Sequence, residues 1–101
     1  MGSQDQGVRR QIEAVKTHLL AEGLPDILEP PSSKEGYHSF RSTYDKRIRV
    51  LWISYQWLSD NPNPAAVVAY LEDKNVAGQL MTDTCMITIH DGGMVHRELC
   101  V

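Results

Sequence analysis

The sequence has little cysteine and no long apolar run, and both absences narrow the class of protein. Only two cysteines, Cys85 and Cys100, stand among 101 residues, whereas a secreted disulfide scaffold usually carries more, in paired spacings. No run of about 18 apolar residues exists, so no transmembrane helix is expected. The first residues also lack the apolar core of a signal peptide. The sequence therefore predicts a cytoplasmic protein with reduced thiols, with Cys85 in the core and Cys100 exposed.

Catalytic and cofactor motifs are absent as well. There is no CxxC pair, no GxSxG elbow and no HExxH zinc motif. The pair Gly92-Gly93 is followed neither by a helix nor by a P-loop lysine, so it predicts a turn and not a phosphate site. We therefore expect no catalytic residues, no cofactor and no metal, and hence a protein that is not an enzyme.

Charge and composition indicate an ordinary globular domain. The net charge is −3, which disfavours binding to nucleic acid, because that binding depends mainly on cationic contacts to phosphate. It equally disfavours adhesion to anionic membranes. With 42% apolar and 23% charged residues, the chain can build one modest core, and its length predicts a single domain over residues 1–101.

The N-terminal part is predicted as one helix followed by a long loop. Four apolar residues recur at helical spacing and form one face, namely Val8, Ile12, Val15 and Leu19. This pattern predicts a helix over 4–22, clearest from Asp5, which Gly23 would end. The segment 24–45 is rich in proline, serine and glycine, so it is predicted as a loop of unusual length.

The remaining residues, 46–101, are predicted as a β-α-β-β unit. β-branched and aromatic residues favour a strand over Arg47–Tyr55, although a helical face also fits them. Within it, 50–53 is apolar on both sides and is expected to be covered on both faces. Asn63 and Pro64 predict the start of a helix. A C-terminal hairpin should turn at Asp91-Gly92-Gly93.

The predicted fold is α+β, a small two-layer domain of order α-β-α-β-β. Two helices are expected on one face of a three-stranded sheet. If the terminal hairpin has a three-residue loop, Ile89 faces Val95 and Cys85 faces Leu99. The last strand, within 96–101, would then be a free edge, so a homodimer through that edge is a further hypothesis.

A surplus of aromatic side chains is the main functional signal. Trp and Tyr are favoured anchors in interfaces, and methionine suits adaptable contacts. We therefore predict a small regulator that binds a protein partner and modulates or inhibits it, for example by blocking the partner's assembly. The candidate partner-binding residues are Trp52, Tyr55, Trp57, Leu58, Met86 and Met94.

Two alternatives remain from the sequence. Basic residues beside aromatic ones can bind single-stranded nucleic acid, and the candidates are Arg41, Lys46, Arg47 and Arg49. A small metal site could use His90 and His96, which lie diagonally across the predicted hairpin with Glu98 nearby. Each hypothesis competes with a purely structural interpretation, because charged and histidine side chains are common on the solvated face of a strand.

Overall fold

The computed structural model describes residues 6–101 and has an α+β fold with a mixed four-stranded sheet. No helix in this range is long and apolar enough to cross a membrane. A short 3-10 turn, Gln6–Val8, precedes the first helix. The elements are α1 (Arg9–Glu22), β1 (Tyr37–Tyr44), β2 (Arg47–Ser54), α2 (Tyr55–Asp60), α3 (Pro64–Asp73), α4 (Val76–Leu80), β3 (Thr84–Ile89) and β4 (Val95–Leu99).

The sheet has the strand order β1-β2-β3-β4. Each outer pair is an antiparallel hairpin, whereas the two central strands, β2 and β3, are parallel. A parallel pair needs a long crossover connection, and α2, α3 and α4 together supply it. Phe40, Leu51 and Ile87 lie side by side across the first three strands.

The predicted apolar face of the first helix is confirmed. Ile12, Val15 and Leu19 are buried, as is Val8 in the preceding turn. Gly23 ends α1 with a φ of 120°, a conformation that glycine adopts at little cost. The predicted residues 4 and 5 of the helix lie outside the described range.

The predicted loop over 24–45 is wrong in its second half, which forms β1. Asp45 and Lys46 both have positive φ, 51° and 65°, so they form the two-residue turn that suits a tight hairpin. Neither is glycine, so the usual sequence signal of a two-residue hairpin turn is missing here. On the outer side of β1, Leu28 and Arg41 exchange two backbone hydrogen bonds of 2.8 Å. The sheet therefore has four strands and not three.

The second half of the chain holds more helix than predicted. The strand prediction is confirmed up to Ser54, whose side chain then accepts a hydrogen bond from the Trp57 amide and caps α2. Asn63 caps α3 as expected, by accepting from the Ala65 amide. A left-handed residue, Asn75, separates α3 from α4. Four helices therefore replace the two that were predicted.

One face of the sheet carries the core. The buried strand residues on that face are Phe40, Leu51, Ile53, Ile87 and Ile89, and they form one cluster with the apolar sides of the helices. On the opposite face Val50 and Trp52 are only half-buried. The expectation that 50–53 is covered on both faces is therefore wrong.

The two cysteines form a disulfide, which corrects the prediction of reduced thiols. Cys85 and Cys100 have Cα atoms 4.9 Å apart and close a segment with a sequence separation of 15. The ladder between β3 and β4 shifts register at Cys85, so that Thr84 pairs with Leu99. Ile89 does face Val95, as the three-residue loop required. The shift explains why Cys85 does not face Leu99 as predicted.

Candidate functional site

The face of the sheet opposite the helices is the principal candidate site, and we call it the open face. Strand alternation assigns residues to it, because successive side chains point to opposite sides. In residues 6–101 no helix packs over it. Its members are Tyr37, Ser39, Arg41, Thr43, Ile48, Val50, Trp52, Met86, Thr88, His96 and Glu98.

Trp52 is the centre of the open face. In register it lies between Ser39 on β1 and Thr88 on β3. Both of these small neighbours are buried although no helix covers them, and Trp52 itself is half-buried. The indole is therefore a broad apolar surface with small side chains on either side, available to a second molecule.

A cation and a second aromatic ring adjoin Trp52 at the end of the face. The Lys34 ammonium lies 5.7 Å from the Trp52 ring centroid and 5.0 Å from that of Tyr37, within the range of cation–π attraction. The Tyr37 hydroxyl is 2.8 Å from His90 Nδ1. Burial and the charge of Asp91 raise the pKa of Tyr37, so the phenol stays neutral.

The other end of the open face leads into a groove of about 360 Å³. Two exposed aliphatic side chains, Leu28 and Ile48, line it, with 52% and 57% of their surfaces accessible. Arg41, Thr43 and Asp26 add polar groups to the same groove. The groove is therefore mixed, with two exposed aliphatic side chains among four polar or charged ones, Ser42 included.

The structure divides the predicted aromatic and methionine candidates. Trp52 and Met86 belong to the open face, and Met94 is exposed beside the β3–β4 turn. Trp57 and Leu58 lie in the core, 5% and 0% exposed, so the folded protein does not offer them to a partner. The Tyr55 hydroxyl contacts His38.

The segment between α1 and β1 is fixed by a cluster of charged and polar groups around Glu29. His38 Nε2 lies 2.8 Å from one Glu29 oxygen, and His38 Nδ1 lies 2.9 Å from the Tyr55 hydroxyl. Arg9 Nη2 donates to both Glu29 oxygens at 3.0 and 3.2 Å, and Lys16 is 3.6 Å away. Since a carboxylate only accepts, His38 donates from Nε2. The cluster links α1, β1 and α2 through Glu29. It therefore explains why the long segment between α1 and β1 has a defined conformation.

Acid should weaken this cluster. Burial raises the pKa of Glu29, but the hydrogen bonds from His38 and Arg9 outweigh it and bring the pKa below 4.5. A depressed pKa means that the carboxylate stabilises the fold above pH 4.5, and that this stabilisation is lost as pH falls through the folded pKa. We expect Glu29→Gln to cost about 1–2 kcal/mol at pH 7 and to flatten the pH dependence below 4.5, as urea titrations would measure.

Glu13→Gln is the matched control for that prediction. Glu13 also pairs with Arg9, but its side chain is 57% exposed, so its loss should cost at most about 0.5 kcal/mol. Equal losses for the two variants, or an unchanged acid slope in Glu29→Gln, would contradict the assignment.

The four predicted nucleic-acid contacts are not on one surface. Arg41 lies on the open face and Lys46 in the turn that precedes β2. Arg47, on the opposite side of its strand, donates to the Val101 carbonyl. Arg49 is buried and donates to backbone carbonyls. The geometry leaves one of the four on the open face.

The two histidines of the metal hypothesis, His90 and His96, likewise have different partners. His90 is occupied by the Tyr37 hydroxyl, and His96 lies 3.7 Å from Glu98 on the exposed part of β4. In the described part of the chain, no group of three or more His, Cys, Asp and Glu side chains is placed to hold a metal ion. The metal hypothesis therefore receives no support from the geometry.

Comparison with protein-family models, with curated proteins and with solved structures finds no match for this chain. The open face is therefore identified by its geometry alone. Two of its residues, Tyr37 and Ile48, were not singled out in the sequence. Tyr37 fell in the predicted loop, and Ile48 could be assigned to neither face until its strand had a neighbour on each side.

Proposed function

We propose that the protein binds another protein through the open face and thereby modulates that partner, for example by blocking its assembly. The observation that carries the proposal is Trp52, which lies half-buried at the centre of a sheet face that no helix covers in the described residues. A soluble domain seldom leaves a sheet with so much aromatic and aliphatic side chain uncovered unless a second molecule covers it.

The chemistry of the face supports a protein partner over a nucleic acid. Aliphatic and thioether side chains, Ile48, Val50 and Met86, share the open face with Trp52, and such groups contribute little to binding a phosphate backbone. Lys34 and Arg41 stand at its rim, where they would select orientation more than add affinity. Trp52 has the features of an interface hot spot, since it is large, amphipathic and central.

The test uses two matched lysine substitutions. Ile48→Lys places a charge on the open face, whereas Leu20→Lys makes the same change on α1 at a side chain that is 45% exposed. The tagged wild type and both variants serve as baits in nuclease-treated host extract, and captured proteins are quantified by mass spectrometry. We expect the wild type and Leu20→Lys to retain the same partner, and Ile48→Lys and Trp52→Ala to retain roughly tenfold less or lower.

Two results would contradict the proposal, provided that the variants are folded. Circular dichroism first establishes that each variant is folded. Equal capture by Ile48→Lys and Leu20→Lys, or no stoichiometric protein on the wild type, would overturn the open face as a partner site. Capture by the wild type that is seen in untreated extract and lost in nuclease-treated extract would favour the nucleic-acid alternative.

The proposed location is the cytoplasm, as the sequence predicts. The state of the two cysteines would depend on that location. Disulfides persist mainly in oxidising compartments. In a reducing cytoplasm the Cys85–Cys100 bond would be open. The end of β4 would then be held by the Cys100 amide, which donates to the Asp83 carbonyl at 2.8 Å. The open face uses neither cysteine, so partner binding does not require the disulfide.

A further inference from the structure

The outer edge of β4 is an unpaired row of backbone groups in the described chain. The His90 amide donates to the Met94 carbonyl at 2.9 Å, and Ile89 is the register partner of Val95. Bonded and non-bonded pairs alternate along an antiparallel ladder. Counting from that bond, the residues whose amide and carbonyl groups point outward are Val95, Arg97 and Leu99.

This edge is held rigid at both ends. The β3–β4 turn precedes it, where Tyr70 donates to the Gly93 carbonyl. After it, the Cys100 amide donates to the Asp83 carbonyl at 2.8 Å, a contact that does not depend on the disulfide. An edge that is already in strand conformation loses little conformational entropy when another strand pairs with it.

The side chains of β4 are complementary to themselves when the strand is reversed. A two-fold axis at Arg97 is the one position that pairs all five residues of β4 with those of a second copy. It places Val95 opposite Leu99, which makes an apolar pair. It also places His96, a basic side chain, opposite the acidic side chain of Glu98. By symmetry each pair occurs twice, and cross-strand pairs of these kinds are favourable.

We propose that two copies of this chain pair antiparallel through β4, with the two-fold axis at Arg97, to form a continuous eight-stranded sheet. The two Arg97 side chains meet at the axis, but each is directed toward its own chain. Its Nη1 donates to Gln79 Oε1 at 2.8 Å and lies 3.9 Å from Asp83. The proposal is independent of partner binding around Trp52: the dimer forms through the backbone edge of β4, and of the open face it uses only His96 and Glu98.

Sedimentation equilibrium tests it on the intact chain, from about 10 μM to about 1 mM, since a five-residue edge gives a small interface. We expect the wild type to form dimers in this range. Glu98→Lys should weaken the dimer roughly tenfold, because it sets a cation opposite His96 in two symmetric pairs. His96→Glu combined with Glu98→Lys should restore it to within about threefold, because the charges are exchanged across the axis.

Two further variants separate edge pairing from a general charge effect. Arg97→Pro removes an outward amide that makes no bond within the chain, so it should leave a folded monomer. Glu72→Lys reverses an exposed charge on α3 and should leave the dimer unchanged. A wild type that is monomeric throughout the range overturns the proposal. So does a dimer that persists in Arg97→Pro, or a double variant no better than Glu98→Lys.

Discussion

Trp57→Ala is expected to destabilise the fold by about 3–5 kcal/mol, a large part of the stability of a domain of this size. The indole is 5% exposed and its ring centroid lies 5.0 Å from that of Tyr70. Gly93, with a φ of 88°, approaches so closely that a Cβ there would lie 3.1 Å from Trp57 Nε1. Truncation would therefore open a cavity where α2, α3 and the β3–β4 turn meet.

Trp52→Ala is the comparison, because it removes the same side chain from the open face. Its indole is half-buried and should contribute about 1–2 kcal/mol. Urea unfolding followed by far-UV circular dichroism measures both, and avoids tryptophan fluorescence, which the variants change. Similar losses for the two variants would mean that the division between a core tryptophan and a surface tryptophan is wrong.

Much of the fold follows from the sequence where one pattern dominates. The four-residue apolar face of α1, the Asn63 cap and the turn at Asp91 are all local signals. β1 escaped prediction because its inward residues include His38 and Ser42, which carry no apolar period. The Asp45-Lys46 turn also lacks the glycine that usually marks a two-residue hairpin.

The candidate site could be predicted only in part, for a related reason. The aromatic segment around Trp52 stands out in the sequence, but a strand and the helix that follows it divide its members. Ser54 caps α2 and changes the period from two to 3.6, so Trp57 turns into the core while Trp52 stays on the open face. The disulfide and the Glu29–His38 contact join residues distant in sequence, which periodicity does not reveal.

Arg49→Met is expected to cost about 3 kcal/mol, because it removes a buried charged donor from three carbonyl groups, one buried and two part-buried. Arg49 is 3% exposed. Its Nη1 donates to the carbonyls of Thr82 and Thr84, both at 3.2 Å, and its Nε donates to that of Tyr44 at 3.3 Å. The guanidinium also lies 5.7 Å from the Tyr44 ring centroid. One side chain on β2 thus joins the end of β1 to the start of β3.

The neighbouring arginine supplies the control for this prediction. Arg47 is exposed and donates to a single carbonyl, that of Val101, so Arg47→Met should change stability by about 0.5 kcal/mol or less. Arg49→Lys should fall between the two, because an ammonium keeps the charge but lacks the planar fork that reaches three carbonyls. In hydrogen exchange, Arg49→Met should expose the amides at the start of β3 before those of β2. Equal stability of the two methionine variants would show that the carbonyl groups find other donors, and that the parallel β2–β3 pair does not depend on Arg49.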